Sequence, residues 1–526
     1  MAGQGVRRPS RATAAGSAVL LTALLAGATG CAKEPPPRAR FPEVQRMLDA
    51  RARAVRQHDE AAFLASVDPV RPGYRDRQRR AFRTLKGLPL TGWRYDLVAT
   101  DAFPLASGGG DAMAAKVELR YRLKGFDAEP VTSVEYLTLT RTDGRWRIVS
   151  DSDAAGSGHT GTRQLWDQGP VAAVRGRHAL VLGAAGDRGR LKDLARRADA
   201  AVPAVTAAWK GRWSGQVVIE APGSVAGMAQ LLGSGDASAY AGIAAVTTGE
   251  AGAQAKAPAD RVIVNPEAYA DLNDAGRAVV LSHEITHVAT RTATTGDTPL
   301  WLSEGFADWV AYRGRRHAAA AAAPELSRAV ATGHAPRQLP ADGDFGFTGG
   351  ADRLAKAYES GWLACRMIAD TWGEAKLRAF YRAAGGVTAG EGHAGPGARS
   401  ASPSSGAGVA SSGPSADDAA SDGPSDGPSD GPSDVPTGAP SGAGPSAGAS
   451  SAAAAGGDGG TRDDAVGGTG KRAVAGHPAA PAPGAAGDRR PAVRDAHLDA
   501  ALRSQLGLGI GEFTKKWRAY LKGALT

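Results

Sequence analysis

Residues 386–494 are dominated by Gly, Ala, Ser, Pro and Asp, and DGPS stands three times in tandem at 422–433. No apolar period survives in this stretch, so it cannot bury enough surface to offset the entropy of ordering. It is therefore expected to be disordered, and any core must come from the residues on either side. Beyond it, Phe513, Trp517, Tyr520 and Leu521 recur at helical spacing. A helix so short is marginal alone. Residues 495–526 are thus expected to form a C-terminal helix that packs back on residues before 386, which makes 386–494 an insertion rather than a tail.

The remaining chain is long enough for more than one ordinary domain out of its 526 residues. Its net charge is +9, but the lysines and arginines are scattered and aromatic residues are only 6%. That pattern argues against a nucleic-acid partner. At the N-terminus, Arg7, Arg8 and Arg11 precede the apolar run AGSAVLLTALLAGATG, which ends at Cys31. A charged start, a short apolar centre and small residues before a cut describe a signal peptide over residues 1–30. The stretch Ala28-Thr29-Gly30-Cys31 resembles the bacterial lipobox. That resemblance implies lipidation of Cys31, a location outside the cytoplasm at the membrane, and contact with the cell wall; plain secretion is the alternative. Residues 31–40, with Pro35-Pro36-Pro37, suit a stiff tether. The other cysteine, Cys365, sits in an apolar helical stretch and reads as an inert buried thiol.

An α+β fold is expected. Over 41–155, Val44, Leu48, Val55, Ala62 and Phe63 mark helix, and AKVELRYRLK at 115–124 alternates as a strand. VEYLTLTRTDGRWRIVSD carries Asp143-Gly144 between two strand-like runs, a hairpin signal. Helices followed by a curved antiparallel sheet resemble the cone-shaped SnoaL-like fold; as no Asp/His constellation is evident, this part reads as a spacer or binding module. A second, mainly helical domain with a small mixed sheet is expected over 165–385. HALVLG, QVVIEAP, YAGIAAVT and RVIVN are its strands, and Leu191, Leu194, Ala198, Val202, Val205 and Trp209 mark a helical face.

Within that second region lies LSHEITHVAT, residues 281–290. At this composition a His-Glu-x-x-His arises by chance on the order of 0.01 times per chain. A spacing of four places His283 and His287 on one helix face. Val279, Val280, Ile285 and Val288 supply the packing on the other side. The alternative is a helix whose histidines are ordinary polar groups. Catalytic zinc takes three protein ligands and keeps one position open. In TPLWLSEGFADWVAY, residues 298–312, Glu304 stands amid Leu302, Phe306, Trp309 and Val310, where a carboxylate needs a partner.

HEITH followed by WLSEGFADW resembles the gluzincin superfamily of zinc metallopeptidases. The resemblance implies zinc on His283, His287 and Glu304, with Glu284 as general base. It also implies that Asp308, four residues after Glu304, hydrogen-bonds the first histidine. AYESGWLACRMIA at 356–368 is similar to the helix whose tyrosine donates to the oxyanion, which gives Tyr358 that role; a tyrosine packing at a helix start is the alternative. The strand that binds a substrate amine in aminopeptidases has no counterpart, which favours an endopeptidase acting on peptides or proteins. The strand 240–247 is the candidate edge for pairing with an extended peptide. A rival reading is a non-catalytic zinc-binding scaffold or peptide-binding lipoprotein.

Overall fold

The computed structural model describes residues 36–105, 111–248, 260–315, 319–346, 350–386, 474–475 and 491–526. The expected signal peptide, Cys31 and most of the expected tether lie outside these residues. At the tether's end, Pro37–Arg40 forms a single helical turn rather than an extended spacer. Pro37 sits at the first helical position, where a missing N–H costs nothing.

The chain is α+β, as expected. Helix Pro42–Gln57 buries Val44, Leu48, Ala52 and Val55 on one stripe and ends at His58 in the left-handed region. It is followed by helices Glu60–Ala65 and Pro72–Leu85. They pack on an antiparallel meander of β1 (Leu90–Ala99), β2 (Ala112–Leu123), β3 (Val131–Thr142) and β4 (Arg145–Ser150). The turn between β3 and β4 has positive φ at both Asp143 and Gly144, at 52° and 71°. That twist matches the right-handed twist of the strands it joins. At the edge strand β1, the Gln45 amide donates to the Tyr95 carbonyl at 2.8 Å and accepts from the Leu97 N–H at 2.9 Å. The first helix thereby satisfies part of an otherwise open edge.

A second, mixed sheet contains β5 (Val171–Arg175), β6 (Ala179–Ala184), β7 (Val217–Ala221), β8 (Ile243–Thr247), β9 (Val262–Val264) and β10 (Val474–Ala475), in the order β10-β8-β9-β7-β6-β5. β6, β7 and β9 run parallel; β8 is antiparallel to β9, and β10 lies parallel to β8. Val181, Val217, Ile219, Val262 and Val264 face the helical core. Leu180, Leu182, Val218, Ile263 and Val246 face the other way, into a core shared with the N-terminal helices and meander. The sheet is therefore buried on both sides, which its near-continuous apolar strands require. The N-terminal part is thus a layer of the same packed body, not a detached spacer. Arg261 adds a buried ion pair across this layer, bonding both oxygens of Asp127 at 2.8 and 2.9 Å.

The helical side is built from Arg188–Trp209, Asp274–Thr290, Leu300–Tyr312, Ala351–Trp372 and Glu374–Ala384. Cys365 is buried among them as a free thiol. The C-terminal region is two helices, Pro491–Leu506 and Ile510–Leu525, where one was expected. The first begins inside the stretch whose composition reads as disordered, and Val474–Ala475 within that stretch is a short strand. The rest of 386–494, beyond Gly386, lies outside the described residues. Phe513, Trp517 and Leu521 are fully buried, with the Phe513 ring 5.9 Å from Trp301. Among the described residues no helix is long and apolar enough to cross a membrane.

Candidate functional site

Helix Asp274–Thr290 is started by Asn273, whose side chain accepts the Gly276 N–H at 2.8 Å. It is packed between helices Arg188–Trp209 and Leu300–Tyr312 through Val280, Leu281, Ile285 and Ala289. Val279 and Val288, expected to share in this packing, are only partly buried. His283 and His287 project from one face with ring centroids 4.7 Å apart. Helix Leu300–Tyr312 begins after Pro299, and its first N–H donates to Asp342 Oδ1 at 2.9 Å. That start places Glu304 opposite the two imidazoles.

Three donor atoms converge. His283 Nε2 lies 2.9 Å from His287 Nε2 and 3.1 Å from Glu304 Oε2, and His287 Nε2 is 3.6 Å from the same oxygen. A tetrahedral ion with bonds of about 2.0–2.1 Å separates its ligand atoms by about 3.3–3.4 Å. The observed triangle brackets that spacing. His283 Nδ1 meets Asp308 Oδ1 at 2.8 Å. A proton on Nδ1 makes that contact a hydrogen bond and leaves the Nε2 lone pair facing the other two donors. Burial opposes charge on His283, but Asp308 and Glu304 outweigh it and raise its pKa well above the ordinary histidine value. The same two carboxylates would attract a cation. Each of His283, His287 and Glu304 is 1% exposed. The donor set is borderline-soft nitrogen with one carboxylate, which suits zinc.

Glu284, next to His283 in the chain, is also 1% exposed. Its Oε2 accepts from the Thr247 hydroxyl at 2.6 Å, and that hydroxyl also lies 3.1 Å from the Glu284 carbonyl. Thr247 ends β8, and nothing local in the sequence marks it for this contact. Tyr358 is buried on helix Ala351–Trp372, with its ring 6.1 Å from His283 and 5.3 Å from Phe345. Its neighbour Glu359 accepts the Leu326 N–H at 2.7 Å and so anchors helix Pro324–Ala331. The helices carrying Glu304 and Tyr358 touch backbone to backbone: a Cβ on Gly305 would lie 2.2 Å from the Gly361 carbonyl oxygen. His317, the next histidine along the chain, lies outside the described residues.

His283, His287, Glu304 and Asp308 are therefore brought together, Tyr358 lies against His283, and Glu284 is held on the same helix by Thr247. The outer edge of β8, expected to be free for a peptide, is paired with Val474–Ala475. No protein-family model and no curated protein matches the chain.

Proposed function

We propose that this protein is a zinc-dependent peptidase, held outside the cytoplasm through a lipidated Cys31, that cleaves peptide or protein substrates internally. The observation that carries this reading is the donor triangle of His283, His287 and Glu304, all within 4.8 Å of one another, with Glu284 alongside. Zinc held there would polarise a substrate carbonyl and lower the pKa of water to about 7. The chain's own residues do the rest. Asp308 keeps the His283 proton on Nδ1 and fixes the ring. Thr247 aims the Glu284 carboxylate. Glu284 accepts a proton from the attacking water and hands it to the leaving amine nitrogen. Tyr358 donates its hydroxyl proton in a hydrogen bond to the developing oxyanion.

Burial of the ligand side chains favours a second reading, a non-catalytic zinc-binding scaffold. One experiment separates the two. The purified chain and Glu284→Gln are assayed for zinc content and for hydrolysis of an unfolded protein. The peptidase reading expects zinc in both and turnover only with glutamate. Zinc without turnover in either favours the scaffold, and turnover that persists in Glu284→Gln refutes the assigned base.

A further inference from the structure

On the opposite side of the second sheet from the histidines, the N-terminal layer contains a cavity of about 330 Å³. It lies between helices Pro42–Gln57 and Pro72–Leu85, the inner face of the meander and residues 226–237. Its lip includes the exposed Ser152, Ala155, Thr160 and Gly235, so it opens to the surface. The volume falls at the lower end of sites that hold small molecules. Its walls are aromatic: the Trp93 ring lies 5.6 Å from Trp166 and 6.1 Å from Tyr95, centroid to centroid.

The charged groups in this cavity are not equivalent. Arg51 is committed, donating to Ser66 Oγ at 3.0 Å and to Gln78, with its guanidinium 3.7 Å over the Phe63 ring. Asp151 pairs with Arg77 and Arg163 at 3.5 and 3.6 Å. Asp167 accepts the Gln164 N–H at 2.9 Å. Among the described lining groups without a partner, beside the Trp93 indole N–H, are two that can accept a hydrogen bond from a ligand. The half-buried Glu135 carboxyl has no hydrogen bond or ion pair, and the hydroxyl of Tyr74, a residue only 6% exposed, has no hydrogen bond. Both groups line the open cavity, where they can bond to whatever occupies it. The ionisable group left without a counter-ion is a carboxyl, and aromatic faces add negative potential.

We propose that this cavity binds a small organic ammonium ion, whose N–H groups are taken by Glu135 and Tyr74 and whose body lies against Trp93, Tyr95 and Trp166. A primary or secondary ammonium fits better than a quaternary one, because an ionised carboxylate only accepts hydrogen bonds. Burial, reinforced by Asp167, pushes the Glu135 carboxyl up to about 8. Near neutral pH the empty cavity therefore holds this carboxyl largely protonated, and a bound ammonium would expel the proton.

Calorimetry on the full chain tests this with 2-phenylethylamine and its uncharged analogue 2-phenylethanol. The amine is expected to bind at least about tenfold tighter than the alcohol, and with proton release at pH 7, read from buffers of different ionisation enthalpy. Glu135→Gln should abolish both the preference and the release, and Tyr74→Phe should weaken the amine alone. Equal binding of the two probes, binding of neither, or an amine preference that survives Glu135→Gln overturns the proposal. Should Glu135→Gln fail to fold, unchanged amine affinity in Tyr74→Phe overturns it equally. None of these readouts involves zinc or hydrolysis.

Discussion

Replacing Gly305 by alanine is expected to damage both the fold and the donor triangle without altering any donor. The new Cβ would stand 2.2 Å from the Gly361 oxygen and 2.3 Å from its carbonyl carbon. Ordinary carbon–oxygen contacts lie near 3.3 Å, so the two helices must part by about 1 Å. The obstructing atoms are backbone, which cannot swing aside as a flexible side chain can. Overpacking typically costs about 1–3 kcal/mol, and the upper end applies here. For a chain of this size about 3 kcal/mol lowers the melting temperature by about 4 °C. Glu304 is the preceding residue, so a shift of this size moves Oε2 relative to both imidazoles. Sites of this kind tolerate only about 0.5 Å, so zinc affinity should fall at least about tenfold. Calorimetry and chelator-competed zinc titration of the metal-free chain read the two effects separately. Gly296→Ala is the control: it lies in the loop between the two ligand helices, and a Cβ there meets nothing within 4 Å. If Gly305→Ala melts within about 1 °C of the parent and binds zinc as Gly296→Ala does, the close-contact reasoning is wrong.

Asp308→Ala should weaken zinc binding about 10–100-fold while Asp308→Asn, which keeps an acceptor for the His283 Nδ1 proton, should lose less; the same chelator titration checks the order. Arg261→Ala leaves Asp127 and the nearby Glu220 buried without their cation, so it should cost about 3–5 kcal/mol in denaturant unfolding, and Arg261→Leu with Asp127→Leu should recover part of that loss. Glu135 and Asp167 give a pH signature. Burial raises them to about 8 and about 6; Arg51 opposes the shift at Glu135, the Gln164 N–H, Arg163 and Arg51 oppose it at Asp167, and Asp151 and Tyr74 are the other groups facing them. A carboxyl with a raised folded-state pKa contributes stability at low pH that is lost as pH climbs through the folded value. The parent should therefore lose melting temperature relative to Glu135→Gln between the ordinary value of 4.5 and about 8; parallel curves across that window would refute the assignment.

The candidate site was more legible in the sequence than the layer beneath it. His283, His287, Glu304 and Asp308 are read from spacing and from a resemblance carried by two short helices. Helical periodicity also suffices for Phe513, Trp517 and Leu521, and alternation for β2. Strand β1 is weakly marked in the sequence although Trp93, Tyr95 and Leu97 alternate and are buried, because Gly92 and Asp96 on its other face are poor strand formers. Helix Pro72–Leu85 buries Tyr74, Gln78, Ala81, Phe82 and Leu85, but its arginines dilute that stripe. Short runs such as HALVLG announce burial on both faces without saying what covers each one. That is why the N-terminal layer reads as separate in the sequence and proves continuous with the second sheet. Thr247 against Glu284 and Gly305 against Gly361 are contacts between distant segments, and no local pattern encodes them.

The last helix bears on when the chain can fold. Trp301 borders the start of the Glu304 helix, and its ring neighbours include Phe513, which is reached only after the long Gly- and Ser-rich stretch. Closing a loop of about a hundred residues costs about 4 kcal/mol in chain entropy. Burying Phe513, Trp517 and Leu521 returns about 1.5–3 kcal/mol each, which together outweighs that closure cost. A ribosome-bound chain that ends before Phe513 lacks that cover. The helices that carry His283, His287 and Glu304 would then complete their packing as the final residues emerge, a late, nonlocal step.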